Sequence, residues 1–302
     1  MTNDNAIIRS MALSLGFAHC GFAEAKPLES LRPFYIAFTG EQRYADMDYL
    51  RRYAEQRLHP ELLLTGVKSV VALLMNYYPE EIIPVENNYI IAKYAYGKDY
   101  PTLIKERLSS LVEFISSTFH GTSSRFFVDS GPVLEKAWAQ RCGLGWQGKN
   151  TLIINETNGS FFFIGIILTT LALVPDHPGI DRCGSCKQCV EACPTGALNT
   201  PYQLEIASCL SYHTIVNSRE VPEEIRGKFR DCIFGCDICQ DVCPFNRFAK
   251  PHQEPDFMPE PELVQWRKKD WLALQESDFN RLFGNSSVLR TGYQTLKRNM
   301  KL

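Results

Sequence analysis

Apolar positions in the first 175 residues switch between two spacings, one suited to helices and one to strands. AIIRSMALSLGF (6–17) repeats apolar side chains at helical spacing and predicts a first helix, and a second is expected around residues 42–56. SVVALLMNYY (69–78) is a near-continuous apolar run of strand length, which predicts a strand buried on both faces. PTLIKERLSSLVEFISSTF (101–119) returns to helical spacing, with Pro101 at a favourable first-turn position. RFFVDS (125–130) reads as a strand and PVLEKAWAQRCGL (132–144) as a helix beginning at Pro132. TLIIN, ETNG and SFFFIGIILTT (151–170) together read as a hairpin turning at Asn158-Gly159.

The pattern breaks at VPDHPGIDR (174–182), a proline-rich connector. A cysteine-rich stretch follows and ends near Arg247; after KPHQEPDFMPEPE comes a helical tail whose last segment, RTGYQTLKRNMKL, holds four cations and no acid. The expected fold class is mixed α/β (α+β). Residues 1–175 form an α/β domain, 176–250 a ferredoxin-like domain and 251–302 a helical tail. At 302 residues and 45% hydrophobic content, the chain can fill a sizeable core.

Charge narrows the partners. A net charge of −2 argues against a uniformly basic polyanion binder and leaves room only for a local patch. Lys136, Arg141, Arg219, Arg226, Lys228 and Arg230 could contribute, as could Arg290, Lys297, Arg298 and Lys301 near the end. MTNDNAIIRS lacks the cationic start and apolar stretch of a signal peptide, and the 13-residue run FFFIGIILTTLAL is too short to span a bilayer. A soluble, cytoplasmic, monomeric protein with no membrane partner is expected.

Nine of the eleven cysteines fall between Cys183 and Cys243. Such crowding suits metal binding better than a disulfide framework. Cys183-x2-Cys186-x2-Cys189-x3-Cys193-Pro194 has the two-cluster ferredoxin spacing, in which three thiolates hold one cluster and the fourth holds the other. Cys236-x2-Cys239-x3-Cys243-Pro244 is the same arm with Ile233 where its first cysteine would stand. Reciprocal sharing assigns Cys183, Cys186, Cys189 and Cys243 to one [4Fe-4S] cluster. Cys193, Cys236, Cys239 and one further cysteine go to the second. Cys232 is nearer in sequence, but it is one residue off the motif position; Cys209, on the segment that loops back across the pair, is preferred. A structural zinc site is the bland alternative, since CxxC pairs also bind zinc.

VDSGPVLEKAWAQRCGLGWQGKN (128–150) adds a second signature. Together with CGSCKQCVEACPTGAL, CLSY (209–212), GCDICQDVCPFNR, RLHPELLLTGVKSVVAL and YGKDY, it resembles the epoxyqueuosine reductase family over most of residues 1–250. The resemblance implies an N-terminal domain that holds cobalamin against two [4Fe-4S] clusters. It implies reduction of the epoxide of epoxyqueuosine, at the wobble position of a tRNA anticodon loop, to the alkene, with loss of the oxygen as water. Electrons would come from an external donor. The aspartate of the Val-Asp-Ser motif, Asp129, would be the proton donor, and the cysteine of CLSY a cluster ligand, which supports Cys209. A carboxyl in a dry pocket can stay protonated near neutrality and stabilise the opening epoxide; the alternative for Asp129 is an N-terminal cap on the following helix. No Asp-x-His-x-x-Gly segment is present, and the resemblance implies base-off cobalamin without a protein ligand on cobalt. Candidate contacts are Arg57, Asp129, Lys149, Asn150, Ser211 and Asp237.

Other features point elsewhere. Gly143-Leu-Gly145-Trp-Gln-Gly148 mimics a dinucleotide fingerprint but follows a helix, the reverse of the required context. His177 and His213 lack partners at ligand spacing, and Cys20 and Cys142 are expected to be small buried hydrophobes. Members of the family often continue into a helical-repeat domain after a segment like RTGYQTLKRN; this sequence stops there, with the catalytic core expected to be complete. Competing functions are a cobalamin-dependent reductive dehalogenase-like reductase and a non-catalytic two-cluster electron carrier. The carrier would not need the long stretch that precedes the cysteines.

Overall fold

A computed structural model describes residues 3–41 and 43–302. Helix α1 (Asn3–Ser14) leads into strand β1 (His19–Glu24). The apolar pattern did not announce β1, because Gly21 interrupts it. That glycine is required, since a Cβ there would run into the carbonyl oxygen of Cys142. Helix α2 (Arg32–Gly40) has proline in its first turn, and α3 (Ala54–Leu58) begins after Tyr53, whose φ is +59°. The single helix expected around 42–56 is therefore absent from the residues described there. Turns occupy most of 43–53, Tyr53 takes a left-handed conformation, and Gln42 lies outside the described residues.

Strand β2 (Ser69–Asn76) lies in a four-stranded antiparallel sheet of order β1-β2-β7-β4, with β4 at Ser124–Phe127 and β7 at Phe162–Thr169. As predicted, β2 is buried on both faces. Val71, Leu73 and Met75 face α1 and α4 (Tyr100–Thr118), while Val70, Ala72 and Leu74 face α5 (Glu135–Arg141). Alternation along a pleated strand explains the split, and helices on both sides explain why the run carries almost no polar residue. Each fully buried Leu or Val here contributes about 1.5–3 kcal/mol.

The expected hairpin is half right. Asn155 pairs with Gly159 across a tight turn, and Asn155 Oδ1 accepts from the backbone N–H groups of Thr157 and Asn158. The arms then part. Ile153–Ile154 pairs with Trp146–Gln147, whereas β7 runs between β2 and β4. Eight residues of β7 gain more by filling the sheet centre than by pairing with a two-residue neighbour.

The cysteine loops and the tail are tied back onto this core. Ile90–Ile91 forms a short parallel pair with Cys232–Phe234. Helices at Pro261–Gln265, Lys268–Ala273, Glu276–Phe283 and Tyr293–Asn299 pack Trp271, Phe279, Phe283 and Leu296 against Tyr89, Ile91, Ile233 and Phe234. Their buried polar groups are paired: Trp271 Nε1 donates to Asn88 Oδ1 at 2.8 Å, and Asn299 Nδ2 donates to the carbonyls of Thr214 and Ile233. Residues 251–302 thus share a core with residues 83–96 and the strand before Cys236.

Candidate active site

Eight cysteines gather in two sets of four. Cys183, Cys186, Cys189 and Cys243 line one cavity, beside Lys149, Asn150 and Phe245. Cys193, Cys209, Cys236 and Cys239 line a second. Short helices at Gln188–Ala192 and Ile238–Asp241 pack together, and each arm ends with a cysteine turned away ahead of proline, Cys193 and Cys243. Cys209 enters its set from the N-terminus of the Leu210–Ile215 helix. Cys232 does not line the cavity. It is 2% exposed in its strand, with its side chain hydrogen-bonded to Cys236.

The donor chemistry fits two iron–sulfur clusters better than single ions. Among the described residues no three His, Cys, Asp or Glu side chains converge to hold one metal ion; the thiols surround a space instead. Burial raises the pKa of Cys189, Cys209 and Cys243, and raises Cys239 further, with neighbouring cysteines adding to the effect. Four half-buried thiolates facing one space repel one another without a cationic group between them.

The surrounding polar groups brace these loops. Lys149 Nζ donates to the carbonyls of Gly184 at 2.6 Å and Cys186 at 2.8 Å, and Asn150 Nδ2 donates to the carbonyl of Cys239 at 3.2 Å. Both residues are buried and line the first cavity, and Asn150 reaches across to the second set. Trp146 Nε1 lies 3.5 Å from Cys183 Sγ, and Gln240 and Asn246 lock onto Ser160 at the Gly159 turn. The sequence reading gave Trp146, Gln240 and Asn246 no role, although Gly-Trp-Gln-Gly-Lys-Asn was a visible signal for the first.

Asp129 sits just past β4 with φ of +60°. It does not cap the next helix, which begins at Glu135 rather than Pro132 and has Leu134 in the cap position. Nor is it dry: its side chain is 45% exposed, because the loop leaves the sheet at an edge strand. Arg290 Nη1 lies 3.6 Å from Asp129 Oδ2, while Arg290 Nη2 holds both oxygens of Asp99 at 2.8 Å. The Tyr100 ring stacks on Phe163 at 4.0 Å, and burial, with the Asp129 charge adding to it, pushes its hydroxyl pKa up.

The segment 93–100 connects this acid to the cysteines. Asp237 Oδ2 accepts from Lys93 N at 2.7 Å, and the Tyr94 and Tyr100 rings are 6.3 Å apart. Burial raises the pKa of Asp237, and Lys93 opposes that shift. Arg57 donates to the carbonyls of Arg52 and Tyr49, and Ser211 is half-buried beside Cys209.

Comparison with known proteins decides the family. Residues 182–246 match the family described as 4Fe-4S double cluster binding domain, and residues 57–130 match Epoxyqueuosine reductase QueG, DUF1730. The chain is 46% identical to the epoxyqueuosine reductase of Cellulophaga algicola, over 97% of this chain and 96% of that one. This protein belongs to the epoxyqueuosine reductase family. The Escherichia coli epoxyqueuosine reductase is 36% identical, over 97% of this chain and 78% of its own. Among solved structures, an epoxyqueuosine reductase with a tRNA-Tyr epoxyqueuosine-modified stem loop matches with a TM-score of 0.89 at 32% identity, over 98% of this chain and 79% of the other. The Bacillus subtilis enzyme, captured with a catalytic aspartate loop swung out of the active site, matches with a TM-score of 0.88 at 30% identity, over 98% and 79%.

Several of the cations expected to form a basic patch are engaged elsewhere. Arg298 donates to the carbonyls of His213, Asn217 and Arg219, and Arg141 to that of Lys26. A guanidinium fork satisfies several carbonyls at a chain reversal, which withdraws it from phosphate. No helix among the described residues is long and apolar enough to cross a membrane.

Proposed function

We propose that this chain reduces epoxyqueuosine to queuosine at the wobble position of tRNA, with loss of the epoxide oxygen as water. One observation carries the reading: segment 93–100 holds Asp237, beside the second cysteine set, through Lys93 N and reaches the acid Asp129 through Arg290, which bridges Asp99 and Asp129. A redox centre and a proton source are thereby joined through a few residues, in a chain 46% identical along its length to a named epoxyqueuosine reductase.

Cys183, Cys186, Cys189 and Cys243 would ligate one [4Fe-4S] cluster, and Cys193, Cys209, Cys236 and Cys239 the other. Cobalamin, when bound, would supply low-potential redox chemistry to the epoxide. Arg57 and Ser211 are the candidate contacts whose side chains are not tied to the cysteine loops. Lys149 and Asn150 hold the cluster loops in place. Asp129 gives its proton to the epoxide oxygen as negative charge builds there; its place on an exposed loop lets it meet a base splayed out of an RNA loop. An external reductant supplies the electrons, and the protein works as a single chain in the cytoplasm.

The test is anaerobic reconstitution with iron, sulfide and cobalamin, followed by mass analysis of epoxyqueuosine-containing tRNA. Loss of one oxygen from the base is expected, and Asp129→Asn should abolish it while iron and cobalamin still load. Cobalamin uptake without oxygen loss would instead favour a different substrate.

A further inference from the structure

Reduction of the epoxide consumes two protons, and Asp129 carries only one at a time. Two electrons are taken up, both carbon–oxygen bonds break and one carbon–carbon π bond forms. The first proton goes to the ring oxygen as the first bond opens and leaves a hydroxyl. The second turns that hydroxyl into water as the second bond breaks. After the first transfer Asp129 is a carboxylate, so it must be reloaded.

A second carboxyl lies on the same stretch of chain. Glu135 is the first residue of α5, and its Oε1 is sealed from solvent with no hydrogen-bond partner. A glutamate in the first turn of a helix is ordinarily an ionised, solvated complement to the helix dipole. Here the sealed, unpartnered Oε1 shifts the balance toward the protonated form. The charged groups acting on Glu135 are Asp129, Arg57 and Lys136. Burial raises its pKa to about 7 and Asp129 adds to the rise, while its own backbone N–H, Arg57 and Lys136 oppose it.

We propose that Glu135 is a second acid of this site, returning a proton to Asp129 so that the oxygen can depart as water. The inference rests on the reductase reading above. Glu135 acts through Asp129 and need not touch the substrate.

The experiment compares the wild-type holoenzyme with Glu135→Gln and Glu135→Asp in single turnover on the modified stem loop, from about pH 5.5 to about pH 8.5. The wild-type rate should fall as pH rises through about 7. Glu135→Gln should be slowed about tenfold or more below that value, lose the pH limb, and recover on addition of acetic acid; Glu135→Asp should keep a displaced limb. Infrared titration without substrate gives an independent readout. A protonated-carboxyl band that titrates near neutrality should disappear in Glu135→Gln. A wild-type rate and limb in Glu135→Gln, or persistence of that band, would overturn the proposal. If Glu135→Gln fails to take up iron, an undisplaced wild-type limb in Glu135→Asp overturns it equally. If the wild type does not turn over the stem loop, the function reading fails while the infrared band still decides the state of Glu135.

Discussion

Arg290 Nη1 stands 3.6 Å from Asp129 Oδ2, so an arginine from the last fifty residues touches the proposed proton donor. Both side chains are 45% exposed, and a pair of that kind is worth about 0–1 kcal/mol. The contact is a weak tether, compatible with an acid loop that moves. Arg290→Gln should lower turnover about three- to tenfold and change stability by about 1–2 kcal/mol at most, the larger part from the lost Asp99 contacts. Single-turnover rates and urea midpoints check both halves; an unchanged rate would mean that Asp129 positions itself without the tail.

The fourth ligand of the second cluster is decided by two single substitutions. Cys209→Ala should take the iron content from about eight per chain toward about four. Cys232→Ala should keep its iron and lose only about 1 kcal/mol from a small core cavity. Iron and sulfide analysis after anaerobic purification reads the difference, and the reverse pattern would transfer the ligand role to Cys232.

Lys149 is a brace whose removal should be felt at the first cluster. Lys149→Met leaves the carbonyls of Gly184 and Cys186 without their donor, which costs about 2–4 kcal/mol. Faster loss of about half the iron to a chelator is expected, with cobalamin uptake retained. Normal cluster retention with loss of cobalamin binding would make Lys149 a cofactor contact instead.

Acid should loosen the second cluster's helix. His213 is 2% exposed; its Nε2 lies 2.8 Å from the carbonyl of Ala207, and its Nδ1 lies 3.0 Å from Asn217 Nδ2. This arrangement fits only the neutral ring, and burial lowers its pKa, with Arg298 contributing. The unfolded chain takes up a proton near pH 6.5 while the fold resists it, so stability falls as pH drops below about 6.5, by at most about 1.4 kcal/mol per pH unit for one group. His213→Gln should flatten that decline in urea midpoints measured between about pH 7 and about pH 5. An identical decline in the variant would place the acid sensitivity elsewhere.

The long buried elements were legible because one property defined them. The run at 69–78 and the amphipathic stretch at 101–119 appear as β2 and α4 almost as read. The cysteine spacing assigned seven of the thiols to the two cavities they line and left the eighth open between Cys209 and Cys232; Cys209 lines the second cavity. What escaped were features made by long-range contact. β1 is interrupted by a glycine that exists for Cys142, and the hairpin arms separate because the sheet centre competes for β7. Asp129 was readable from its motif, but its partner Arg290 lies far along the chain and resembled a phosphate contact. Glu135 was written inside the same motif and passed over, because its burial cannot be read from periodicity.

The shared core of residues 83–96 with the tail has a consequence for biogenesis. The Tyr89 hydroxyl bonds the carbonyl of Met300, and Asn299 closes the strand that leads into Cys236. A polypeptide emerging from the ribosome cannot finish the seat of its second metal centre until synthesis has passed Met300. Iron delivery to that seat therefore waits until this segment has been made, and a nascent chain paused before it would offer its thiols unguarded to oxidants.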